Sequence, residues 1–99
     1  MKPLPRRPVL ARHARYRWDA LRRQHQLVFP EGLLVLNETG AAIVRLCDGR
    51  STAELLAALE AQLAGLPPSR EEENRVQEEV HEFLARLAKK GLLRDAADP

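Results

Sequence analysis

The sequence predicts an α+β fold: a small three-stranded antiparallel sheet followed by three α-helices. Three observations carry this reading. HARYRW alternates with period two, two apolar runs are separated by Pro-Glu-Gly, and beyond Asn37 apolar residues recur at helical spacing between capping signals. At 99 residues the chain has the size of one domain and buries only a modest core.

The first strand reads from His13 to Trp18, with Ala14, Tyr16 and Trp18 on one side and His13, Arg15 and Arg17 on the other. Leu27 to Phe29 and Leu33 to Leu36 pair as a hairpin, because Pro30 sets the turn φ and Gly32 tolerates a positive one. Asn37 caps the first helix, ETGAAIVRLC, which stops at Asp48-Gly49. Gly40 inside it costs about 1 kcal/mol of helix propensity relative to alanine.

Ser51 and Glu54 form a capping box for the second helix, which aligns Leu55, Leu56, Leu59 and Leu63 and stops at Gly65. Pro67-Pro68 prevent continuation, and Ser69 with Glu72 opens the third helix. That helix carries an apolar stripe of Val76, Val80, Phe83, Leu84 and Leu87 and ends with Lys89-Lys90 before Gly91. Leu92 and Leu93 fold back as a short anchor. Residues 1–12, with Pro3, Pro5 and Pro8, read as a flexible basic arm, 13–93 as the domain and 94–99 as a frayed tail.

Charge is divided unevenly. Residues 1–25 carry net +7 and the remainder net −5. No apolar run approaches the roughly 20 residues of a membrane span, and the basic start lacks the apolar stretch of a signal peptide, so a cytoplasmic protein is expected. A lone cysteine makes no internal disulfide, and Cys47 reads as a small core hydrophobe. His13, His25 and His81 belong to no nucleophile motif; Glu78, His81 and Glu82 share a helical surface but read as a solvated face. With no glycine-rich phosphate loop either, neither catalytic residues, nor a metal, nor a cofactor are expected.

Two binding classes remain. A sheet of this size with three helices makes a winged-helix-like domain, many of which bind nucleic acid, but the acids crowding the N-terminal half of the third helix would meet phosphates unfavourably. The other class uses the open sheet edge, where an extended peptide adds a strand beside an apolar helix. Such an edge also predicts a monomer or a weak dimer formed by edge pairing or strand exchange.

The run RYRWD…LVFPEGLLVLNETGAAIVRLCDGRSTAELLAAL, followed by VHEFLARLAKKGLL, resembles the PqqD family of peptide chaperones in pyrroloquinoline quinone biosynthesis. The resemblance covers roughly Arg15 to Leu93. Its most diagnostic pieces are PEG, a short strand, LNETG and LCDG.

The resemblance implies a winged-helix-like leader-peptide recognition element that binds the precursor peptide PqqA. It would present that peptide to the radical S-adenosylmethionine enzyme PqqE without catalysing a reaction. The leader is then expected beside Leu33, Leu34, Val35 and Leu36, against a helix wall drawn from Val76, Val80, Phe83, Leu84 and Leu87. Most of that stripe is assigned to core. Arg15, Arg17, Arg22 and Arg23 are candidates for docking the enzyme, while Asn37-Glu38-Thr39 and Cys47-Asp48-Gly49 are expected to be structural.

Overall fold

The computed structural model describes residues 4–63 and 70–97. In chain order its elements are β1 (Pro8–Leu10), β2 (Arg15–Asp19), β3 (Gln24–Phe29), β4 (Gly32–Leu36), α1 (Glu38–Leu46), α2 (Thr52–Leu63), α3 (Arg70–Lys89) and β5 (Leu93–Asp95). The expected α+β architecture is present, with the sheet preceding three helices. The Gly65 stop, the Pro67-Pro68 break, the Ser69–Glu72 capping box and the side chain of Leu63 lie outside the described residues.

The antiparallel sheet has the order β2-β3-β4, with β3 central. Its register aligns Tyr16, Leu27 and Leu34 across the three strands, and Trp18, His25 and Leu36 beside them. This inner face packs on the helices through fully buried Leu27. The outer face carries two rows, Arg15–Val28–Leu33 and Arg17–Gln26–Val35. The first strand therefore begins two residues later than its alternation suggests, and Asp19 rather than Trp18 ends it.

Gln26 is buried on that outer face, and its amide Nε2 donates to Asp19 Oδ2 and Gln24 Oε1, each at 3.1 Å. Asp19 also accepts the backbone N–H groups of Leu21 and Arg22, closing the turn into β3. The Arg22 amide, before the other donors, holds the Asp19 carboxyl below the usual carboxylate range. Arg23 completes the turn in the left-handed region at φ 53°.

The helix signals are realised as hydrogen bonds. Asn37 Oδ1 accepts the Gly40 amide at 2.6 Å, and Ser51 and Glu54 exchange side-chain and backbone bonds at 3.0 and 3.1 Å. Gly91 adopts φ 74° just past α3, where a left-handed residue terminates the helix and the Gly91 and Leu92 amides donate to the Ala88 and Leu87 carbonyls. The expected Gly49 stop differs: α1 is capped by Cys47 at φ −80°, and Gly49, two residues further on at φ 99°, donates its amide to the Pro8 carbonyl instead.

Two apolar clusters meet at α1. Leu36, Ala41, Val44, Leu87 and Leu92 join Leu27 under the sheet, while Ile43, Leu46, Leu55, Leu59, Val80 and Leu84 lie between the three helices. Cys47 belongs to the second cluster, with Sγ 3.2 Å from the Ile43 carbonyl oxygen. Burial, aided by the neighbouring Asp48 charge, pushes its thiol up to about 12, so it is a core residue.

The chain ends depart from the sequence reading. β1, inside the segment read as a flexible arm, pairs antiparallel with β5, which runs from Leu93 of the anchor into the segment read as a frayed tail, from Pro8 opposite Asp95 to Leu10 opposite Leu93. Pro8 starts its strand, where a missing amide does the ladder little harm. Asp95 accepts the amides of Arg6 and Arg7 at 3.0 and 3.1 Å, and Gly49 and Thr52 donate to the carbonyls of Pro8 and Arg6. The ribbon is thereby fastened to the loop between α1 and α2.

Candidate functional site: the β4 edge and the α3 groove

The two-residue connection Pro30-Glu31 sets the polarity of the hairpin backbone. Phe29 and Gly32 flank it as partners, and in such a hairpin the flanking pair is hydrogen bonded, so bonding alternates from there. Gly32, Leu34 and Leu36 consequently turn their amide and carbonyl groups towards β3. Leu33 and Val35 turn theirs outward, along an edge that no described strand occupies. Their side chains are also unusually open for aliphatic residues, at 44% and 62% exposure.

A groove of about 380 Å³ lies beside this edge. Val35, Leu36 and Asn37 form one bank, Thr39, Gly40 and Ile43 of α1 contribute to its lining, and Glu79, Glu82, Phe83 and Arg86 of α3 form the other bank. Gly40 brings α1 and α3 close together, since a β-carbon there would meet the Phe83 ring at 3.4 Å. Phe83 remains partly exposed as a result of its position at the rim of the core.

The sequence-derived candidates separate in space. Leu33 and Val35 lie open on the strand, Leu34 packs partly against the core, and Leu36 is buried while still lining the groove. On α3, Phe83 lines the groove, and Val76 is partly buried against the inter-helix cluster. Val80, Leu84 and Leu87 have at most 1% of their surface exposed and belong to the core, so a ligand in the groove has no face of them to touch. Their heptad-like spacing identified the stripe but not which members look outward.

Glu79 and Arg86 were not among the candidates, and Glu82 was weighed only beside Glu78 and His81, because charged residues on a helix read as solvated surface. Of the docking candidates, Arg15 and Arg17 share the sheet's outer face with Leu33 and Val35, two strands away. Arg22 approaches Asp19 at 3.9 Å, and Arg22 and Arg23 are exposed in the β2–β3 turn. Glu78 and His81 are exposed on α3, and among the described residues no three His, Cys, Asp or Glu side chains gather as a metal site.

A second concavity lies on the other side of α1. There the Tyr16 hydroxyl lies 2.6 Å from His25 Nδ1, Trp18 meets the imidazole edge-on, and Arg45 stands 5.5 Å over the Tyr16 ring. His25 Nε2 reaches to 3.5 Å from Glu38. This cluster ties the first turn of α1 to the sheet.

Fold and groove together define a small α+β domain whose accessible strand edge is backed by a helix-lined cleft. The profile of the family described as "Coenzyme PQQ synthesis protein D (PqqD)" matches residues 24–93. The chain belongs to the PqqD family. A PqqA binding protein of Azotobacter vinelandii is 37% identical over 78 residues, covering 78% of this chain and 77% of the relative. A second PqqA binding protein, from Rhodopseudomonas palustris, is 36% identical over 92 residues, covering 93% of this chain and 85% of its own.

Among solved structures, the fold resembles the solution structure of the PqqD truncation of Methylobacterium extorquens PqqCD, described as a functional, stand-alone RiPP recognition element. The TM-score is 0.68 at 27% identity, with 88% of this chain and 87% of that chain covered.

Proposed function

We propose that this domain is a noncatalytic peptide chaperone that captures PqqA as a strand added to β4 and presents it to the radical S-adenosylmethionine enzyme PqqE. The observation that carries the proposal is the outward-turned backbone of Leu33 and Val35 beside the α3 groove. Main-chain bonds to these two residues supply affinity that is indifferent to sequence, and the groove supplies selectivity. The relatives' name as PqqA binding proteins supports the choice of peptide.

The β2 edge is the poorer acceptor, because Arg15 and Arg17 stand on it and charged side chains guard an edge against added strands. Those arginines, with Arg22 and Arg23, are assigned to the enzyme-facing surface. The domain works as a monomer in the cytoplasm, with edge pairing between two copies arising only at high concentration. No described helix is long and apolar enough to cross a membrane.

Titration of isotope-labelled protein with PqqA tests the reading. Amide shifts concentrated at Leu33 and Val35 are expected. Binding that leaves β4 unperturbed, or salt-sensitive binding of duplex DNA without peptide binding, contradicts it.

A further inference from the structure

Four α3 residues line the groove, and their order is uneven: Glu79 and Glu82 come first, Phe83 follows and Arg86 lies beyond. They occupy one face over two turns, so the groove follows the helix for about 10 Å at ~1.5 Å per residue. Glu82 and Arg86 stand four apart, a spacing at which acid and base pair on a helix surface. Yet among the described residues neither they nor Glu79 take part in an ion pair, and all three are exposed.

An added strand would alternate its side chains between the sheet's outer face and this wall. Neighbours on one face of a strand lie about 6.8 Å apart, so three successive inward side chains span about 14 Å. That length is commensurate with the wall once side-chain reach is included.

We infer that the α3 wall selects its peptide by charge order: one inward side chain is a cation facing Glu79 and Glu82, the next is apolar against Phe83, and the third is an anion facing Arg86. The inference rests on strand addition at β4. It gives the groove a direction, because a segment laid the other way sets carboxylate against carboxylate and cation against guanidinium. Repulsion of the wrong orientation contributes as much to selection as attraction of the right one.

The test uses the full chain and synthetic PqqA, with affinities from calorimetry. Glu79→Lys with Glu82→Lys, and separately Arg86→Glu, are each expected to weaken PqqA binding about tenfold, and raised salt to narrow the gap. Neutralising each charged residue of PqqA in turn should reveal one basic position whose loss costs affinity with the native chain but restores part of it with the double lysine variant, whose introduced lysines repel that cation. Glu79→Gln with Glu82→Gln provides a milder change should the lysine variant misfold, and a severalfold loss is expected.

Variants that bind PqqA as the native chain does, or losses that add without coupling to any peptide charge, overturn the charge-order proposal while leaving strand addition standing. A native chain that fails to bind PqqA overturns both.

Discussion

A β-carbon placed on Gly40 would lie 3.4 Å from Cε2 of Phe83 and 3.1 Å from Oδ1 of Asn37, the oxygen that caps α1. This glycine thus sits where helix cap, helix crossing and groove lining coincide. Gly40→Val is expected to destabilise the fold by about 1–3 kcal/mol through overpacking and to push Phe83 into the groove, weakening peptide binding. In Gly40→Ala the gain of about 1 kcal/mol in helix propensity opposes the crowding, so its stability should stay near that of the native chain. Chemical denaturation and peptide titration of both variants check this.

The outward backbone at Val35 makes a second prediction. Val35→Pro deletes an amide that β3 does not use, so the domain should stay folded by circular dichroism. Peptide affinity should fall by roughly threefold to tenfold, the scale of one net hydrogen bond. Equal affinity in calorimetry would show that the peptide does not pair with this edge.

Much of this is legible in the sequence. Pro-Glu-Gly between two apolar runs specified the hairpin, and Asn37, Ser51 and Glu54 announced helix starts that appear as hydrogen bonds. Local signals sufficed because each partner lay within a few residues.

The β1–β5 ribbon was not legible, since each strand has three residues and its partner lies at the other end of the chain. Glu79, Glu82 and Arg86 were missed for a related reason. Whether a charged helix face borders solvent or a groove depends on how α3 crosses α1, and the clue to that crossing, Gly40, reads in sequence only as a propensity cost.

Acid should loosen the fold in a defined window. Asp48, held down to about 2 mainly by the Arg50 guanidinium, and Asp19, Glu54 and Asp95, held down chiefly by backbone amides, all have folded values below their unfolded ones. Their stabilisation is therefore present above the unfolded values and lost as pH falls through the folded ones. Urea midpoints should be level from about pH 7 to 5 and decline below about 4. Asp95→Asn should remove part of that decline while loosening the ribbon, seen as faster amide exchange at Arg6 and Arg7.

Cys47 should be chemically silent. With 5% exposure and a thiol pushed up to about 12, it should resist iodoacetamide at pH 8 in the native state and react at the rate of a free thiol in denaturant. Rapid native labelling would mean that the loop between α1 and α2 opens readily.

The Arg7 amide lies 3.1 Å from Asp95 Oδ1, and neither ribbon strand borders the α3 groove. The two ends of the fold are therefore held side by side, and a short linker between them would close the backbone into a ring. Cutting that ring at Leu21, whose side chain is 94% exposed in the β2–β3 turn, would leave the hairpin and the α3 wall intact. A circular permutant of this kind would carry its new termini beside Arg22 and Arg23, placing a reporter or tether at the surface proposed above to face the enzyme.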